Sequence, residues 1–160
     1  MTSPVPETES ESDRRLRQID NKFYKDLCRY EIGVILDGWI DGPVVADRDL
    51  IGAKFLDARK SGAISREEYL DGLRQDVIAR GVEDTGHLGP LAVVEVSVTF
   101  NRTDLENAAR RAAIIAGVTG NSVAAFVSTH SGWPDEVNAI AQALGVTIIR
   151  HEDPDYQDIE

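Results

Sequence analysis

Apolar residues recur at steps of three and four through the first part of the chain: Leu16, Ile19, Phe23, Leu27 and Tyr30. That is the period of a helix burying one stripe, and it predicts a long helix from Ser12 through Ile35. The segment DGWIDGP, residues 37–43, ends it with two glycines and Pro43. A shorter helix is predicted over 47–62, with Leu50, Ala53 and Phe55 or Leu56 turned inward and Gly62 as the stop signal. Ser65 and Glu68 stand at the spacing of a capping box and open a third helix.

The period changes at Asp76. Residues 76–82 alternate weakly and are β-branched, 83–90 hold the glycines and proline of a turn, and LAVVEVSVTF, 91–100, reads as a strand. Together they predict an antiparallel hairpin. Thr103 and Glu106 match another capping box, opening a helix through Gly120 with Leu105, Ala109, Ala112 or Ala113, and Ala116 facing in. A strand over 122–129, an amphipathic helix over 134–145 starting at Pro134, and a final strand over 146–150 follow. The order from Asp76 onward is β-β-α-β-α-β. This is an α/β fold: a helical N-terminal arm followed by a mixed sheet flanked by helices. The chain then divides into a disordered acidic tail at 1–11, a helical region at 12–75, an α/β core at 76–151 and a second acidic tail at 152–160.

Composition removes several classes of function. A chain of 160 residues suits one domain with a sizeable core. No apolar run approaches the roughly 18–20 residues needed to cross a bilayer, and the N-terminus lacks a basic region followed by an apolar one. No membrane role and a cytoplasmic location are therefore expected. A single cysteine, Cys28, allows neither an internal disulfide nor a thiolate pair for zinc, and it reads as a small core residue. The net charge of −11, from 28 acids against 17 bases, disfavours nonspecific nucleic-acid binding. Much of the acid lies in the tails, which leaves a core nearer to neutral with room for a local basic groove.

Candidate chemistry gathers on the hairpin. Glu95 sits between Val94 and Val96, where a carboxylate is costly to bury without a partner or a use. Glu95 and Ser97 share a face by parity, and Asp76 opens the neighbouring strand. Two carboxylates placed this way can hold Mg²⁺, which would activate a water for phosphodiester cleavage.

Asp76, the turn, VVEVSVT at 93–99, a capped helix and a strand–helix–strand finish resemble the PD-(D/E)XK nuclease-like superfamily, over residues 14–150. In that superfamily an Asp near a strand start precedes Glu-x-Lys on the next strand. The resemblance implies a restriction-endonuclease-like sheet, with Asp76 and Glu95 as catalytic carboxylates and metal ligands. It adds Glu31, on the N-terminal helix, as a third ligand, and Mg²⁺ as the cofactor of an active enzyme. Ser97 stands where the lysine belongs; it would orient the water but offers no positive charge. The closer resemblance is to uncharacterised bacterial proteins that read Glu-x-Ser-x-Thr behind a helical or coiled-coil N-terminus.

Two functional expectations follow. One is a nuclease-like domain with an incomplete catalytic motif, weakly active or retired. The other is a non-enzymatic module that binds a protein partner or a second copy through the N-terminal helix. Asp76 and Glu95 close together, open to solvent and beside a basic groove would favour the first. An arginine filling the gap between them would exclude catalysis. Arg80, Arg102, Arg110 and Arg111 are the candidates to replace the missing charge, although an arginine does not act as a general base at neutral pH. Each residue also has a structural reading. Glu95 meets an arginine, Asp76 ends a helix, Glu31 lies on a solvated face, and Arg110 and Arg111 form surface pairs with Glu106. Trp39 and Trp133 plug chain turns or stack bases; His130 and His151, near strand ends, are exposed polar residues or catalytic ones.

Overall fold

A computed structural model describes residues 10–81, 90–98, 100–129 and 132–151, with the backbone alone at 13 and 16–21. The tails 1–9 and 152–160, the turn at 82–89 and His130 lie outside the described residues. The elements run α1 (Glu11–Tyr30), α2 (Ile32–Ile35), β1 (Val44–Val45), α3 (Arg48–Lys60), α4 (Arg66–Gly72), β2 (Val77–Arg80), β3 (Leu91–Ser97), α5 (Arg102–Thr119), β4 (Val123–Thr129), α6 (Glu136–Leu144) and β5 (Val146–Arg150). The fold is α/β, with a five-stranded mixed sheet between helices and a helical segment ahead of it.

The strands lie in chain order. β1, β2 and β3 are antiparallel neighbours, and β3, β4 and β5 are parallel ones. Parallel neighbours need crossovers, which α5 and α6 supply. Every residue of β3 is buried, because both faces of this central strand are covered. Alternation sorts its side chains into two cores. Leu91 and Val93 pack with Phe55 of α3, Leu105, Ala108 and Ile115 of α5, and Val127 of β4. Ala92, Val94 and Val96 pack on the other face with Tyr24 and Cys28 of α1, Ile32 and Ile35 of α2, and Phe126.

Several faces differ from expectation. Among the described side chains of α1 the buried positions are Tyr24 and Cys28, continued by Ile32 and Ile35 of α2, while Phe23 and Tyr30 are exposed. The sheet covers the stripe that includes Cys28, and Leu27 of the neighbouring stripe is half-buried against the same core. In α3, Ile51 and Phe55 point inward and Leu50 and Leu56 outward. In α5 the inner face is Leu105, Ala108, Ala112 and Ile115. The α4 capping box at Ser65 and Glu68 forms as expected. For α5 the box sits two residues earlier than Thr103 and Glu106, with Asn101 capping and Asp104 answering. Glu106 instead accepts from Arg102 one turn away, at 2.8 Å.

Candidate functional site

The β2–β3 register brings the two hairpin carboxylates together. Val77 lies opposite Val94, so Asp76, one step earlier, falls opposite Glu95. Directly opposed residues of an antiparallel pair share a face, which brings both carboxyls to the same end of the sheet. The side chain of Glu95 is 7 % exposed and that of Asp76 is 12 % exposed.

Each carboxylate already has a cation. Arg111 of α5 donates from Nη1 to Glu95 Oε2 at 2.9 Å, and its own side chain is only 11 % exposed. The same guanidinium reaches Asp71 of α4 at 3.3 Å. Arg110 binds Asp71 through both Nε and Nη2, at 2.6 and 3.0 Å. The hydrogen bond from Arg110 holds the Asp71 carboxyl below the usual carboxylate range. Asp76 is gripped from the opposite layer: Lys25 of α1 approaches Oδ1 at 2.8 Å, the backbone N–H of Val96 donates to Oδ2 at 2.8 Å, and Arg29 donates to the Asp76 carbonyl at 2.9 Å.

Glu95 Oε1 is the remaining loose end, buried without a hydrogen-bond partner among the described residues. Two ionised carboxylates have no proton to share, so facing oxygens repel. Burial, then the charge of Asp76, pushes the Glu95 carboxyl up to about 7, against the downward pull of Arg111. A proton on Glu95 removes the repulsion and supplies a donor to Asp76, while Oε2 keeps its bond from Arg111. Glu95 therefore takes up a proton close to neutral pH.

Ser97, in the position of the superfamily lysine, donates to Asp104 Oδ2 at 2.8 Å. That same oxygen accepts from the backbone N–H of Asn101 at 2.9 Å. The serine thus ties the end of β3 into the N-terminal cap of α5. Glu31 pairs with the imidazole that follows β5, its Oε2 2.6 Å from His151 Nε2. Tyr24 donates to the carbonyl of His151 at 3.2 Å, and His151 is buried, not an exposed loop residue. Cys28 is wholly buried; burial pushes its thiol up to about 11, so it is no nucleophile at neutral pH. Trp39 is exposed but stacks edge-on with Phe126, and Trp133 packs at a tilt on Phe100.

The donor set fits a divalent cation poorly. Mg²⁺ takes oxygen ligands whose negative charge is free to meet it. Here a lysine and an arginine already occupy the carboxylates, and their charges repel a dication. Among the described residues, no three His, Cys, Asp and Glu side chains gather as a metal ion requires. No helix there is long and apolar enough to cross a membrane. No family model, no curated protein and no solved structure matches the chain.

Lys25 and Asp104 are among the partners that the sequence pattern does not reveal, as are Asp71 for the two arginines and His151 for Glu31. Lys25 and Asp104 lie on helices whose rotation relative to the sheet is fixed only by packing. Arg111 was legible as a candidate for the charge at Glu95, because it stands on the helix that follows the Glu-bearing strand.

Proposed function

We propose that this chain is a PD-(D/E)XK-like domain in which cleavage has been retired, and that it works as a binding or assembly module. One observation carries the reading: Arg111 and Glu95 form an ion pair with both side chains about nine-tenths buried. An arginine in that place neutralises one of the two metal-binding carboxylates. It brings no general base, and its charge opposes a metal. The serine at 97 supports the same conclusion, since it is committed to the cap of α5 and adds no charge.

The binding role draws support from the N-terminal segment. Phe23, Tyr30 and Val34 are 65, 89 and 68 % exposed, and they follow one another at seven- and four-residue steps. Exposed apolar side chains on these two successive helices, α1 and α2, suit a protein partner or a second copy of the chain.

The test is a titration of Mg²⁺ and Mn²⁺ against single- and double-stranded DNA and RNA, with Asp76→Ala and Glu95→Ala as controls. Wild type is expected to show no metal-dependent cleavage above either control. Cleavage by wild type that both substitutions abolish would restore the active nuclease, with Asp76 and Glu95 as its ligands.

A further inference from the structure

The two edges of the sheet are built differently. β1 is two residues long, whereas β5 runs for five and pairs with β4 in unbroken register, without a bulge. Very short strands, prolines, bulges and edge charges are the usual devices that stop an edge from pairing further. β5 has none of them before Arg150, its last residue. Its first four residues, Val146, Thr147, Ile148 and Ile149, are all β-branched and suit an extended backbone.

The phase of the ladder fixes which main-chain groups look outward. His151 N–H donates to the Thr129 carbonyl at 2.9 Å, so Thr147, Ile149 and His151 are the residues that turn toward β4. Alternate residues of a parallel strand bond to opposite sides, and Val146, Ile148 and Arg150 direct their N–H and C=O groups to the outer edge. Ile148 is half-buried, and its two main-chain groups have no backbone partner among the described residues. Beside this edge lies a groove of about 470 Å³ between α6 and β5. Trp133, Ala141, Val146 and Ile148 give it apolar lining, and Asn138 and Gln142 add amides. None of its lining residues is charged, in a chain where 28 % of residues are. Trp133 is held there by a bond from Nε1 to Asn138 Oδ1 at 2.9 Å and by its contact with Phe100.

We propose that β5 is a docking edge for an extended segment of a partner protein, which adds a strand to the sheet. An edge that offers main-chain donors and acceptors is answered by another strand; a helix has already used its own. The bonds at Ile148 supply affinity, and the groove beside them receives alternate side chains of the segment. Those side chains are apolar, because the groove holds no charge to answer one. Residues flanking them are basic, drawn by the net charge of −11. The same net charge disfavours a second copy at this edge, since two chains of like sign would meet there. Val146 and Ile148 belong to the core on the face of the sheet opposite to α1, so the groove is separate from the exposed residues of α1 and α2. It also does not depend on whether the domain cleaves nucleic acid.

The probe is an octapeptide blocked at both ends, with a lysine at each terminus and valine alternating with threonine between them. Titrated into the full chain, it is expected to give saturable NMR shifts at the Ile148 amide and the Trp133 indole N–H, and to slow hydrogen exchange at Ile148. Two derivatives carry backbone N-methyl groups, one on the valines and the other on the threonines. A strand bonds its neighbour through alternate residues only, so one derivative should lose about tenfold or more in affinity while the other stays within a few-fold of the parent. Which one fails gives the direction of the added strand. Gln142 lines the groove from an exposed helical position, and Gln142→Lys should weaken binding several-fold with the folded spectrum retained. Absence of saturable shifts overturns the docking edge. So does loss of binding in both derivatives or in neither, or binding that Gln142→Lys leaves unchanged. Protection of Ile148 that rises with chain concentration in the absence of peptide gives the edge to a second copy and overturns the partner segment.

Discussion

A carboxylic acid buried beside a second carboxylate holds its proton to a higher pH than one in water, and this sets how Glu95 contributes to stability. Its ordinary value of 4.5 rises to about 7 in the folded chain. Between those limits the native state binds a proton that the unfolded chain has released. Stability from this group is thus fully present below 4.5 and is lost as pH rises through 7. The full effect is on the order of 3 kcal/mol. Glu95→Gln mimics the protonated form, with an amide oxygen for Arg111 and an amide N–H for Asp76. Urea unfolding should find it near neutral at pH 5 and more stable than wild type at pH 8. Destabilisation at pH 8 would instead show that the ion pair with Arg111 dominates. Arg111→Met tests the other side of the balance. It leaves a buried carboxylate without its cation and should cost about 3 kcal/mol at pH 8. At pH 5 the cost should be clearly smaller, because Glu95 then carries a proton and needs no cation. A loss that is equal at both pH values would mean that Arg111 acts through packing and Asp71 alone.

Among the elements, the helices show how far identity of residue is from identity of role. Gly72 closes α4, and a Cβ there would overlap the Phe55 ring and lie 3.1 Å from Ile114 Cγ2. Phe55 is wholly buried and cannot yield easily. Gly72→Ala should therefore destabilise by about 1–3 kcal/mol, in spite of alanine's better helix propensity. Gly52→Ala in α3 should stabilise by roughly 0.5–1 kcal/mol, since nothing opposes it. Thermal denaturation of the two variants side by side checks both signs. The sequence pattern treats these glycines alike, and that is the general boundary of what it could show. Element order, the strand at 146–150 and the capping box at Ser65 were legible because they depend on neighbours in the chain. The inner faces of α1, α3 and α5 were not, because two apolar stripes compete in each and only tertiary packing chooses. For the same reason Asp76 opposite Glu95 was readable from strand parity. Lys25 on Asp76 and His151 beside Glu31 were not, since each depends on the docking of elements distant in sequence; Asp104 is only seven residues from Ser97, but its bond depends on how α5 is rotated against β3.

At the scale of the whole molecule, charge and exposed apolar surface work against each other. The chain carries −11, whereas the α1 sequence ESDRRLRQIDNKFYKDLCRY has six basic residues and four acidic ones. Two copies repel through their bodies least when they meet along α1, the face that also exposes Phe23 and Tyr30. An apolar seam opposed by net repulsion strengthens when salt screens the repulsion. Sedimentation velocity should therefore detect self-association that increases from low salt to about 0.5 M NaCl, where the screening length falls to a few ångströms. Tyr30→Glu and Phe23→Glu should each shift the chain toward monomer. Their melting temperatures should change little, because both side chains are already exposed. Association that weakens with salt would place ion pairs, not the apolar seam, at the interface. A chain that stays monomeric at high salt would sink self-association and leave the exposed stripe to a different protein.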